Sequence, residues 1–148
     1  ISMGYSDLTY EKFVIGAFSN VRNLYLLQCT SAYPTPNEDT QIGVVRHYYN
    51  LSKHVSRIIP GFSSHDIGSL CSMMAVSAGA RMIEKHVKLG HVAWSHFDEV
   101  AIDVGNDDFN HFVADIRSAE KIVGEEEKVI HDSEHHKYWP KQADDKPI

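Results

Sequence analysis

Short apolar runs alternate along this chain with longer stretches whose apolar residues recur every three or four positions. Ile1-Ser2-Met3-Gly4 reads as the end of a β-strand and its exit loop. Ser6 and Asp7 are suited to cap a helix from about Leu8 to Phe18, with Leu8, Phe13, Val14 and Phe18 expected in the core. Leu24 to Gln28 predicts a short buried strand, followed by a polar loop in which Pro34 and Pro36 bar helix. Ile42, Val45, Tyr49 and Tyr48 mark one face of a helix ending near Ser52. Ile58 and Ile59 predict a third strand, stopped by Pro60-Gly61. Ser69 to Ala78 predicts a helix of small residues with Met73 and Met74 in its core, ended by Gly79. Arg81 to Glu84 predicts a fourth strand. Asp107 or Asp108 opens a last helix through Phe109, Phe112, Val113, Ile116, Ala119 and Val123, with Gly124 as its stop.

Four repeats of strand, loop and helix imply an α/β fold with a parallel sheet. The pattern alone does not separate a barrel from an open doubly wound sheet. In either, residues just after the strands converge on one rim. Here those residues are Ser2, then Cys29-Thr30-Ser31, then Ser63-Ser64-His65, then Glu84-Lys85-His86.

Bulk properties narrow the function classes. The chain has 148 residues, 43% hydrophobic and 23% charged, enough for one domain with its own core. A net charge of -6 argues against a nucleic-acid partner, and no apolar run reaches the length needed to cross a bilayer. Cys29 and Cys71 make no disulfide framework and are expected to stay unbonded, in keeping with a cytoplasmic protein. The chain opens at Ile1 rather than Met, and residues 129–148 read as a charged linker or tail toward a further domain.

Neutral imidazole is the commonest protein metal ligand. His65 and His86, from neighbouring strand ends, are therefore a candidate pair for one divalent ion with positions left for substrate oxygens. The plain alternative is two loop histidines among ten in the chain. His47 and His54 read as surface residues, and His131, His135 and His136 as solvated. Ser2, Ser31 and Ser63 are candidates to hydrogen-bond a phosphate; plain loop serines are the alternative. Glu84 and Asp98 are candidates to bind sugar hydroxyls or move protons, against surface carboxylates. Lys85 alternates with Glu84 and His86, so it should point toward the helices. Cys29 reads as packing.

The segments LLQCTSAYPTPNEDTQI, GFSSHDIGSL, AVSAGARMIEKHVKL and FVADIRSAEKIVGEEEK, taken together, resemble the sialic acid (N-acetylneuraminate) synthase family. The resemblance covers residues 1 to about 128. It implies the C-terminal half of a (β/α)8 TIM barrel, from the end of strand five through helix eight. It further implies condensation of phosphoenolpyruvate with N-acetylmannosamine or a related amino sugar, giving a nine-carbon sugar acid and phosphate. Pseudaminic and legionaminic acid synthases look much the same over this half, and a silent fragment acting only in assembly is a further alternative. The implied cofactor is a divalent metal, commonly Mn2+, with Mg2+ or Co2+ as alternatives.

By the same resemblance, His65 and His86 would hold the metal, and Ser2, Ser31 and Ser63 would contact phosphoenolpyruvate. Glu84 and Asp98 would address the sugar, with Glu84, His65 and His86 as the catalytic set. Such synthases use further residues from strands one to four and an arginine from a partner subunit, which implies a homodimer for the full-length form. The chain departs from the family pattern in three places. Ser64 and Asp66 flank His65 where the family has Asp and Thr, Ser2-Met3-Gly4 replaces Ser-Thr-Gly, and Trp94-Ser95-His96-Phe97-Asp98 replaces a Pro-Gly-x-Asp loop.

Overall fold

The structure is a computed structural model and describes residues 1–134. Strands β1 (Leu24–Gln28), β2 (Ile58–Ser64) and β3 (Met82–Lys85) form one parallel sheet in that order. The N-terminal residues extend it by one bridge: Ser2 pairs in parallel with Leu27, Met3 N–H donates to the Leu27 carbonyl, and Leu27 N–H donates to that of Ile1. Four α-helices among the described residues alternate with these segments: α1 (Leu8–Ala17), α2 (Ile42–Ser52), α3 (Leu70–Ser77) and α4 (Asp108–Val123). A second, two-stranded parallel sheet of β4 (Val87–Lys88) and β5 (Ile102–Asp103) lies between β3 and α4 and was not foreseen from the sequence.

Strand alternation sorts the side chains into two faces. Leu24, Leu26, Ile58 and Phe62 point toward the helices, where they bury against Val14, Val45, Tyr48, Cys71 and Ala75. Leu26 and Val45 are wholly enclosed, each such side chain contributing roughly 1.5–3 kcal/mol of transfer free energy. The opposite face carries Ser2, Leu27, Gly61, Ser63, Met82 and Glu84. Cys29 and Cys71 are both buried and unbonded, as expected.

Several expectations are corrected. In α1 only Val14 of the four named apolar residues is buried; Leu8, Phe13 and Phe18 are 64%, 65% and 42% exposed. The α1 surface facing the sheet carries Glu11 instead, whose carboxylate meets His47 Nε2 at 2.9 Å. His47 is thereby a helix–helix contact rather than a plain surface residue. Met74 on α3 is likewise exposed, because Cys71, Ser72 and Ala75 occupy the buried side. At the start of α4, neither Asp107 nor Asp108 caps through its side chain; Asn106 Oδ1 accepts from the Asp108 N–H at 2.8 Å.

The third strand does not stop at Pro60-Gly61 but runs on to Ser64. Pro60 lacks an N–H, yet its carbonyl accepts from Arg81 N–H at 2.8 Å, so one side of the ladder survives. Gly61 is required by crowding: a Cβ there would lie 2.9 Å from the Met82 carbonyl oxygen and 3.0 Å from the Leu27 side chain. Gly61→Ala should therefore cost about 1–3 kcal/mol through overpacking. A urea-denaturation midpoint equal to that of the wild type would contradict this.

Candidate functional site

The β2–β3 ladder ends at the pair Ser64↔Lys85, after Ser63↔Glu84. His65 and His86 are the next residue on each strand. By alternation they share the face of Ser63 and Glu84 and stand side by side. Their ring centroids lie 5.2 Å apart with planes 30° apart. The structure thus brings together His65, His86, Glu84, Ser63 and Ser2 on one rim, as the pattern of polar residues after strands foretold.

Glu84 is oriented by two hydroxyls. Ser63 Oγ donates to its Oε1 at 2.6 Å and Ser2 Oγ to the same oxygen at 3.0 Å. The Ser63 bond is the main reason its pKa lies below the ordinary 4.5; burial opposes this, and the Ser2 bond and the nearby His65 add to the lowering. A carboxylate with a depressed folded pKa gains from its partners above the unfolded pKa and loses that gain as pH falls through the folded value. Glu84 should therefore titrate below 4.5 in a carbon-detected NMR titration, and Ser63→Ala should move its midpoint upward. An unmoved midpoint would show that the hydroxyl is not its stabiliser.

These bonds also occupy two of the three candidate serine hydroxyls. A phosphate needs donated protons, and those of Ser2 and Ser63 are engaged by Glu84. Ser31 is exposed and lies beside Gly4 near the Cys29 thiol. Burial pushes that thiol's pKa up, which opposes a nucleophilic role.

Asp98 joins a different set. Its carboxylate accepts from Val92 N–H at 2.6 Å and from His91 Nδ1 at 2.7 Å, and pairs with Lys88 Nζ at 3.1 Å. The Val92 bond is the first cause of its lowered pKa. All these partners belong to β4 and the loop after it, so Asp98 brackets that loop, whose Phe97 stacks on His86.

The bracketed loop supplies residues that the sequence did not single out. Phe97 stacks on His86 at 4.7 Å and 9°, and Tyr33 stacks on His65 at 4.2 Å. His96 meets both Tyr33 and Phe97 edge-on, at 4.8 and 5.4 Å. Tyr33, His65, His86, Phe97 and His96 therefore form a closed circuit of five rings. Tyr33 belongs to the Cys-Thr-Ser-Ala-Tyr-Pro block, which was its only signal. His96 and Phe97 sit in a stretch without periodicity, where their only mark is that Trp94 to Asp98 departs from the family's Pro-Gly-x-Asp loop.

The imidazoles suit a metal. His65 Nδ1 lies 2.9 Å from the Thr30 carbonyl, which fixes its proton there and leaves Nε2 as a free lone pair. Burial, then the neighbouring His65, lowers the His86 pKa and favours the neutral ligating form. Among the described residues no group of three or more His, Cys, Asp or Glu is gathered to hold an ion. Among the described residues these two imidazoles are the donors that face each other at the rim.

On the helix face, behind this rim, Lys85 points toward α3 and α4 as alternation required, but it is no ordinary structural lysine. Its Nζ donates to Ser64 Oγ at 2.8 Å and to the Asp66 carbonyl, and lies 4.0 Å from Asp66 Oδ1. Both charged side chains are only 4% exposed. Burial lowers the Lys85 pKa, and Asp66 pulls it back.

Comparison with known proteins matches residues 1–128 to the NeuB family model. The chain belongs to the NeuB family. Over 136 residues it is 32% identical to a protein of Methanocaldococcus jannaschii, covering 90% of this chain and 39% of that one. It is 38% identical over 104 residues to a pseudaminic acid synthase of Campylobacter jejuni, covering 70% and 28%. With the human N-acetylneuraminate-9-phosphate synthase it shares 32% over 109 residues, covering 73% and 29%. The fold is similar to that of the N-acetylneuraminic acid synthetase of Leptospira borgpetersenii, with a TM-score of 0.72 at 22% identity over 89% of this chain and 45% of that one. This NeuB-family chain spans less than two fifths of the length of these curated relatives. None of its described helices is long and apolar enough to cross a membrane.

Proposed function

We propose that this chain is the C-terminal half of a (β/α)8 barrel, residues 1–128, with 129–148 leading toward a further domain. The complete enzyme would condense phosphoenolpyruvate with N-acetylmannosamine or a related amino sugar, giving a nine-carbon sugar acid and phosphate. The observation that carries this reading is the rim itself: two facing imidazoles beside an ionised, doubly hydrogen-bonded glutamate, at parallel strand ends. Pseudaminic or legionaminic acid synthesis is the second reading, favoured by relatives of those names at 38% and 31% identity.

His65 and His86 would hold a divalent cation, Mn2+ by preference, which when bound polarises the sugar carbonyl as a Lewis acid. Glu84 Oε1 takes both serine hydroxyls, so Oε2 is left to accept from a sugar hydroxyl and orient it. Ser31, an exposed residue whose hydroxyl Glu84 does not engage, is the serine left to donate to the phosphate or carboxylate of phosphoenolpyruvate. Ser2 or Ser63 would have to release Glu84 to do the same. The Tyr33, His96 and Phe97 rings hold the imidazoles in place and limit water at the rim. We further infer a cytoplasmic setting and a homodimer for the complete protein, the reading supported by two unbonded cysteines and the family resemblance.

The test is phosphate release from phosphoenolpyruvate with Mn2+ and each candidate hexose. The 148-residue chain alone should be silent, since each absent contact to a developing charge removes about 3–4 kcal/mol of transition-state stabilisation. The chain joined to the N-terminal barrel half of a relative should release phosphate with one hexose. No release with any amino sugar would overturn the reading, and release by the chain alone would overturn its half-barrel form.

A further inference from the structure

The last backbone pair between β2 and β3 is Ser64↔Lys85. One residue further, the backbone stops tying the two strands together: the His65 carbonyl accepts from Thr35 N–H, and the His86 carbonyl from Ile102 N–H, each at 2.9 Å. His65 and His86 thus sit on diverging segments at the point where their separation matters.

One side chain crosses that point. Lys85, immediately before His86, holds both neighbours of His65: Ser64 through its hydroxyl and Asp66 through its carbonyl, with the Asp66 carboxylate 4.0 Å away. Ser64 Oγ in turn donates to Asp66 Oδ1 at 2.5 Å. An ammonium has three donors with free rotation, so it can grip the residues on both sides of His65 at once. By alternation, residues 64, 66 and 85 face the helices while 65 and 86 face the rim. The grip therefore contacts nothing that binds at the rim.

We propose that the buried Lys85–Asp66 pair is a positioning device that sets the spacing and mutual orientation of the two rim imidazoles. It places the carboxylate on the far flank of His65, but the near flank would serve equally, since the residue 64 side chain already lies 2.8 Å from the ammonium. This inference rests on reading His65 and His86 as the metal pair, and the experiment separates the two.

The purified chain is titrated with Co2+ alone, followed by its visible absorption, and the metal-free imidazole protons are followed by NMR. Tyr33 and Phe97 stack on these rings, so their resonances report ring placement without any metal. The double variant Lys85→Met, Asp66→Leu removes both buried charges and keeps an apolar core. It should stay folded by circular dichroism, bind Co2+ at least about tenfold more weakly, and lose the ring-current shifts. The relocated pair, Ser64→Asp with Asp66→Thr and Lys85 kept, should restore wild-type affinity and shifts. Should the double variant fail to fold, the relocated pair decides, and its loss of affinity or shifts overturns the proposal. A folded double variant with wild-type affinity and unmoved shifts overturns it as well. If the wild-type chain takes up no Co2+ in a His65-dependent way, the metal reading fails, and the metal-free ring shifts alone decide the positioning role.

Discussion

Replacing His65 or His86 with alanine in the complete enzyme should abolish measurable turnover and weaken divalent-metal binding by about 100-fold or more. Loss of an outer partner of a ligand already costs about 10–100-fold, and here one of the two facing imidazoles is itself removed. The fold should survive, because both residues lie beyond the last β2–β3 rung and neither belongs to the apolar clusters. The His65 change should be the less benign of the two for local order, since its Nδ1 also secures the Thr30 carbonyl and its ring carries Tyr33. Isothermal titration with Mn2+ and a phosphate-release assay check this together. Full turnover in the double alanine variant would reduce the pair to ordinary loop histidines.

Lys85→Met should be the most destabilising single change. It leaves the Asp66 carboxylate, 4% exposed, without its cation, and Asp66 Oδ2 already lacks a hydrogen-bond partner. Breaking a buried pair from one side costs about 3–5 kcal/mol. For a domain of this size each kcal/mol is worth roughly 3–5 °C, so a fall in Tm of about 10 °C or more is expected. The companion variant lacking both charges should recover most of that loss, because a paired deletion leaves no orphaned charge. Calorimetry on the two variants decides it. If Lys85→Met melts with the wild type, the ammonium is exchanging with solvent and does not hold the strands.

These effects share one cause. The rim and the helix face are two sides of the same strand ends, so a residue on one face constrains its neighbour on the other. His65 lies between Ser64 and Asp66, and His86 follows Lys85. Metal-site geometry and fold stability are therefore coupled through consecutive residues, while Asp98 holds the loop that carries Phe97 to His86.

What the sequence by itself determined was whatever depends on local pattern. Alternating apolar runs and helical spacings located β1, α2, α3 and α4 to within a residue or two, and with them the parallel order. The residues after each strand gave the rim, because a parallel α/β fold must gather them at one end. Strand alternation also put Lys85 on the helix face. Only the tertiary structure decided the rest, since it depends on which surfaces meet. Leu8, Phe13 and Phe18 have the spacing of a core face yet lie exposed, while Glu11 is buried beside His47. Pro60-Gly61 reads as a stop, but a parallel neighbour supplies Arg81 as donor and leaves room for no Cβ, so the strand continues. The serine hydroxyls on Glu84, the ring circuit through His96 and Phe97, and the grip of Lys85 on Ser64 and Asp66 join residues far apart in the chain. No local period encodes them, because each exists only once three strand ends and a bracketed loop occupy the same few ångströms.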